Sequence, residues 1–211
     1  IDPSKIEVMV PLAVPAPRGN PSQAELEHVR RKYALPEHFI LMIGTVEPRH
    51  NHQAVFAALA DAASPAGVVV CGRRTAWSDY LLGYARARRI AARVDFIYEL
   101  TPSDLPALFR LARVFAYLPD ADAEASVVPV VEALRAGLPM VLSDTQVNRE
   151  AAGEAAAYVR PEARGEVLAA LENALEDVSW RRTMQERERR RAELFSEYAV
   201  AERLMQIYTS L

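Results

Sequence analysis

The sequence predicts an α/β fold: a doubly wound parallel sheet with helices on both faces, followed by C-terminal helices. Short apolar runs alternate with longer stretches of helical periodicity, which is the pattern of strands linked by helical crossovers. Most of the apolar runs are hydrophobic on both sides, as strands covered on both faces must be. After Pro161 the strand-like runs stop and only helical patterns follow.

Seven runs read as strands: 6–11 (IEVMVP), 39–44 (FILMIG), 67–72 (GVVVCG), 93–98 (RVDFIY), 114–118 (VFAYL), 139–143 (PMVLS) and 156–160 (AAYVR). Between them, PSQAELEHVRRKYAL carries Ser22 three residues before Glu25, the spacing of a capping box. NHQAVFAALADAA starts at Asn51, which is placed to cap a helix. TPSDLPALFRLA offers Thr101 or Ser103 for the same purpose. Pro129 suits the first turn of a helix and Gly137 its end, giving a helix over 130–136. ARGEVLAALENALED reads as one further helix, and the last thirty or so residues as one or two more.

Composition narrows the function classes. A formal net charge of −3 argues against wholesale neutralisation of nucleic-acid phosphates. A single cysteine, Cys71, excludes an internal disulfide framework and fits a reducing compartment. No apolar run approaches the roughly 20 residues a membrane-spanning helix needs. The chain opens on Ile1 and reads as part of a longer protein.

In an open parallel sheet, ligands bind beyond the carboxyl ends of the strands. Three predicted strand ends carry polar residues. FILMIG runs into TVEPRHN, where Gly44, Thr45, Arg49 and His50 precede a helix start. Free amides and an arginine there suit a phosphate, although an ordinary loop with a surface arginine has the same letters. GVVVCG runs into Arg73 and Arg74. VFAYL runs into ADAEASVVPVVEALRAG, with Glu124 before a helix and Glu132 inside it; these carboxylates either form a site or serve as a loop residue and a helix-terminal charge.

Taken together, GTVEPRHN, VVVCGRR, VDFIYELTPSDLPALFRLARVF, the Glu-x7-Glu element of Glu124 and Glu132, and NREAAGEAAAYVRP resemble the C-terminal, donor-binding domain of GT-B glycosyltransferases, specifically the retaining family 4 (glycosyl transferases group 1). The resemblance spans nearly the whole chain in order. It implies one Rossmann-like half of a GT-B fold, with residues 1–20 as linker and entering strand and 21–193 as the nucleotide-sugar-binding domain. Residues 194–211 would form a terminal helix contacting an N-terminal acceptor domain outside this sequence.

The function implied is transfer of a sugar, with retention, from a nucleotide-sugar to an acceptor hydroxyl. The donor would be GDP-mannose or a UDP-hexose, and the acceptor a glycan or lipid-linked sugar. Glu124 would face the donor sugar as the catalytic residue, and Glu132 would accept hydrogen bonds from the ribose diol. Gly44, Thr45, Arg49, His50, Arg73, Ile97, Ala125, Ser126, Val127 and Val128 would complete the donor site, with Arg49 on the diphosphate. No cofactor or metal is implied, because cationic side chains and helix N-termini stabilise the leaving group in GT-B enzymes. Asp120 and Asp122 stand one residue apart in the loop before Glu124. No nucleic-acid partner is implied. The setting would be cytoplasmic, with peripheral contact at the inner face of the membrane through the arginine-rich stretch 180–195, unless that stretch is simply a solvated helix. The fragment alone would not turn over.

Three positions depart from the family pattern. Ala125, Ser126 and Val127 replace Gly-Phe-Gly, His50 replaces a lysine, and Leu12–Val14 replace Asn-Gly-Val. Glycines let backbone amides approach a sugar diphosphate, and a neutral histidine compensates less phosphate charge. A non-catalytic GT-B domain that scaffolds or binds within a polysaccharide-synthesis protein is therefore the alternative expectation. Trp77 is either a lid over the donor or a packed loop aromatic.

Overall fold

The computed structural model describes residues 6, 20–120 and 127–209. The predicted first strand falls, Ile6 apart, outside these residues, as do Glu124, Ala125 and Ser126. The described strands are β1 (Phe39–Ile43), β2 (Gly67–Cys71), β3 (Val94–Ile97), β4 (Val114–Tyr117), β5 (Met140–Ser143) and β6 (Ala157–Val159), each within the run that predicts it. They form one sheet in the order β3-β2-β1-β4-β5-β6, with every pairing parallel. The helices are α1 (Gln23–Lys32), α2 (His52–Asp61), α3 (Ala76–Ala87), α4 (Leu105–Leu111), α5 (Val128–Ala136), α6 (Gln146–Ala152), α7 (Arg164–Glu176), α8 (Val178–Ala192) and α9 (Glu197–Thr209).

The strand order reverses between β3 and β4, so the helices divide between the two faces. Strand side chains alternate between those faces. Phe39, Leu41, Val69, Cys71, Phe115, Tyr117, Met140 and Leu142 join a core with α1, α4, α5 and α6. Their neighbours Ile40, Met42, Val68, Val70, Val114, Ala116 and Val141 join a second core with α2, α3 and α7. Both cores are aliphatic and aromatic, which is why the strands read as continuous apolar runs rather than as alternating ones.

The helix termini confirm some of the caps and correct others. Ser22 accepts from the Glu25 amide at 3.3 Å and Glu25 accepts from the Ser22 amide at 2.8 Å, closing the predicted capping box. Asn51 precedes α2 but does not cap it. Its backbone is left-handed (φ 52°), and its amide group donates instead to the Leu118 carbonyl at 2.9 Å and to Asp120 Oδ1 at 2.6 Å. Neither Thr101 nor Ser103 caps α4, because a 3-10 turn over Pro102–Asp104 leads into it. Thr101 accepts from Lys32 Nζ at 2.8 Å. Gly137 ends α5 at φ 61°, and α5 starts two residues earlier than the expected 130.

The arginines of α8 bind inward as well as facing solvent. Arg181 donates to the Leu175 carbonyl at 2.5 Å, Arg187 to that of Glu154 at 3.1 Å, and Arg191 to that of Ala151 at 2.9 Å and that of Glu150. These carbonyls lie at or beyond the C-terminal ends of α6 and α7, where cations are favoured. A 3-10 turn over Glu193–Phe195 separates α8 from α9, and no residue of α9 is buried.

Backbone contacts join the ends of the first three strands. The Gly44 amide donates to the Cys71 carbonyl and the Gly72 amide to that of Ile97, both at 3.0 Å, while Val46 donates to Arg73 at 3.1 Å. The Thr75 hydroxyl closes on the Val46 carbonyl. Gly72 passes so near this loop that a Cβ on it would lie 1.8 Å from the Gly44 carbonyl oxygen. Gly72→Ala is therefore expected to cost about 1–3 kcal/mol and to displace the β1 loop; urea denaturation and amide chemical shifts of 44–50 check this.

Glu188 of α8 is fully buried, and neither carboxyl oxygen has a partner among the described residues. Burial pushes its carboxyl up to about 9. A raised value favours the neutral form in the fold, so stability is intact below the unfolded value near 4.5. It falls by roughly 1.4 kcal/mol per pH unit as pH rises from there towards 9. Glu188→Gln should flatten that slope, with melts at pH 5 and pH 8 differing less than those of the parent chain.

Candidate functional site

The six described strands point their carboxyl ends at one edge, and Gly44, Thr45, Arg49, His50, Arg73, Ile97, Val127 and Val128 lie at those ends, whereas Glu124, Ala125 and Ser126 fall outside the described residues. Gly44 sits at φ 144°, with the His50 imidazole directly over it, so that a Cβ would stand 3.1 Å from the ring. Only glycine adopts this backbone without strain and leaves room for the ring. His50 is buried and its Nδ1 lies 2.5 Å from the Thr45 carbonyl. A carbonyl only accepts, so the proton of a neutral ring is on Nδ1. The ring packs edge-on to His52 and tilted against Tyr117, with centroids 6.0 and 6.4 Å away. His50 thus lies inside the loop rather than extending from it as a lysine would. His52 beside it is pushed down to about 4, by burial first and the neighbouring His50 second, and is neutral at physiological pH.

Arg49 does reach the rim, with its side chain 42% exposed. Its Nε donates to Glu47 Oε2 at 2.6 Å, and Arg73 approaches Oε1 of the same carboxylate at 3.9 Å. Glu47 thus holds two guanidiniums on one side of the crevice, and the Arg49 hydrogen bond keeps its carboxyl below the usual range. Sequence reasoning gave Glu47 no role, although it lies inside the TVEPRHN motif. Its place two residues before an arginine at a strand end was the available signal. Arg74 turns away to pair with Asp79 at 2.8 Å and to cover the Tyr98 ring. The Arg49 carbonyl accepts from the Asp120 amide at 2.9 Å, so the loops after β1 and β4 are tied by backbone as well as by Asn51.

Ile97 closes β3 and is buried, contributing its carbonyl to the Gly72 contact. Val127 and Val128 form the start of α5, where no side chain caps the helix among the described residues. The first turn of α5 therefore presents backbone N–H groups and a partial positive charge at the same edge. Glu132 is the fifth residue of α5, beyond the first turn, and is half-buried. Burial raises its carboxyl, and Arg135 partly opposes this. It faces a cavity of about 510 Å³ between α1, α4 and α5, shared with His28, Asp104, Phe109 and Arg135.

The structure therefore brings Gly44, Thr45, Arg49, His50, Arg73 and Ile97 into one connected rim, and sets Glu132 in the wall of a cavity shared with α1 and α4. Trp77 is packed, stacking on Tyr80 at 4.1 Å against the second core. Cys71 is buried with its thiol pushed up to about 11. Among the described residues no helix is long and apolar enough to cross a membrane.

Comparison with known proteins matches this architecture and its motifs. The model of the family described as glycosyl transferases group 1 matches residues 25–191. An O-antigen chain mannosyltransferase B from Escherichia coli is 29% identical over 181 residues, covering 83% of this chain and 47% of its own length. The chain thus spans about half the length of this relative. The glycosyltransferase WaaG, involved in lipopolysaccharide biosynthesis, superposes with a TM-score of 0.80 at 18% identity, over 98% of this chain and 57% of its own. Anabaena Alr3699/HepE, solved in complex with UDP, superposes with a TM-score of 0.79 at 16% identity, over 90% of this chain and 54% of its own. These structures share the fold, a Rossmann-like half of the GT-B architecture. With four-fifths of its length matched by the family model, the chain belongs to the glycosyl transferases group 1 family.

Proposed function

We propose that this chain is the donor-binding half of a retaining glycosyltransferase. It binds a nucleotide-sugar, GDP-mannose or a UDP-hexose, for transfer to a glycan or lipid-linked acceptor hydroxyl. The observation that carries this is the shared edge on which Arg49, bonded to Glu47, and the nearby Arg73 stand with the start of α5, which no side chain caps among the described residues. Breaking the bond between the sugar and its diphosphate places negative charge on the leaving oxygen. Guanidiniums and helix N–H groups aimed at that position stabilise the charge without a metal. Glu132 accepts from the ribose diol, and Glu124 faces the sugar. The mannosyltransferase relative supports a mannosyl donor, and the neighbours solved with UDP and with UDP-glucose support a nucleotide-sugar donor.

The other half of the enzyme brings the acceptor. The exposed Tyr198, Met205 and Tyr208 of α9 are the surface offered to it, and the isolated chain does not turn over. The setting is the cytoplasm, at the inner face of the membrane when the acceptor is lipid-linked. One observation favours the second reading, a non-catalytic binding domain: His50 is buried in its own loop and does not extend to the rim.

Calorimetric titration with GDP-mannose, UDP-glucose and UDP-N-acetylglucosamine separates the two readings. Binding of one of them is expected, and the absence of any binding at millimolar levels would sink the transferase reading. Glu132→Gln should weaken nucleoside diphosphate binding about 10- to 100-fold, the loss of a charged hydrogen-bond acceptor. In the full-length enzyme Glu124→Ala should lower transfer about 100-fold or more while nucleotide affinity stays within a few-fold.

A further inference from the structure

A second cavity opens at the other end of the sheet, where β4 and β5 begin. It holds about 120 Å³. Ala112 and Arg113 lead into β4 there, and Leu138 and Pro139 lead into β5. Arg110 reaches it from the last turn of α4, and Arg181 and Gln185 from α8. The length of β4, four residues or roughly 13 Å, separates it from the edge that carries Arg49 and Arg73.

Three guanidiniums line this small space and no carboxylate does. Arg181 is only 8% exposed. Its Nη1 donates to the Ala174 and Leu175 carbonyls at 3.3 and 2.5 Å, and its Nε and Nη2 make no hydrogen bond among the described residues. Arg113 reaches the same Leu175 carbonyl through Nε at 3.5 Å, and its terminal nitrogens make no hydrogen bond among the described residues. The Arg110 side chain has no partner among the described residues and is exposed. Burial first, and the Arg113 charge second, push the Arg181 guanidinium below its usual range. Glu176 and Asp177 act on Arg181 in the opposite sense, but neither lines the cavity.

We propose that this cavity binds a single phosphate group, either as free inorganic phosphate or as part of a phospholipid headgroup, at a site separate from the donor edge. Guanidinium forks match the oxygens of a tetrahedral oxyanion in pairs, and the two inner arginines are pre-oriented by their bonds to the end of α7. The volume admits one phosphate group. An anion here would also relieve the Arg113–Arg181 repulsion and join α4, α8 and the starts of β4 and β5.

The test is titration of inorganic phosphate into the chain at constant ionic strength, with cosedimentation on phosphatidylglycerol vesicles against phosphatidylcholine vesicles as the second arm. Saturable phosphate binding identifies the free anion. Selective sedimentation without it identifies the headgroup. In either case Arg113→Gln, which lines only this cavity, should weaken binding at least about tenfold. Arg110→Gln, at an exposed position that leaves the core intact, should do the same, while Arg189→Gln on the exposed side of α8 should change nothing. Absence of both kinds of binding overturns the proposal. So does an unchanged affinity in folded Arg113→Gln and Arg110→Gln, or an equal loss in Arg189→Gln.

Discussion

The sheet is apolar on both faces, and its strands alternate residue by residue between two separate cores. Such a sheet leaves little face for chemistry, because a polar side chain on its central strands is desolvated and needs a partner, as the buried Ser143 hydroxyl finds in the Pro119 carbonyl at 2.8 Å. Polar function is confined to the two ends of the strands, where loops and helix termini meet water. The carboxyl end holds the glutamate-bridged arginines and the start of α5, and the amino end holds the three-arginine cavity. The Glu188 carboxyl on α8, buried inside the fold, is held towards its neutral form by that burial.

At the carboxyl end, much of the polar equipment is used to hold the loops rather than to reach a ligand. Asn51 ties the loop after β1 to the one after β4, and His50 fills the space over Gly44. The Gly72 α-carbon lets two backbones touch. Among the described residues Arg49 and Arg73 do project, and both lie near the Glu47 carboxylate. Arg49 is thereby oriented by its hydrogen bond to Glu47 before any anion competes for it.

Most of the architecture was legible in the sequence, for a physical reason. Buried parallel strands are short, continuous and apolar, so their limits fall within a residue or two of the runs that announce them. The Ser22–Glu25 box was legible because both partners are local. Asn51 was misread because its side chain bonds to Leu118 and Asp120, far away in the chain, and local spacing carries no trace of such contacts. The same holds for His50, whose burial depends on the Gly44 backbone, and for the arginines of α8, which read as a solvated charged helix yet in part cap α6 and α7. Arg49, Arg73 and Glu132 were singled out through motif order, and the fold sets the two arginines on one rim and Glu132 in a cavity wall. Glu47 and the second arginine cavity were not singled out, since each depends on residues brought together only by the fold.

Cys71 occupies the last position of β2, directly before the Gly72 contact, and its thiol is buried and strongly disfavours ionisation. Thiolate is the reactive form, so alkylating reagents are slow to touch the folded chain. The only cysteine of the sequence is thereby an internal clock. Its labelling rate reports how often the β1–β2–β3 ladder opens, and any ligand that bridges the loops above it should make that clock run slower.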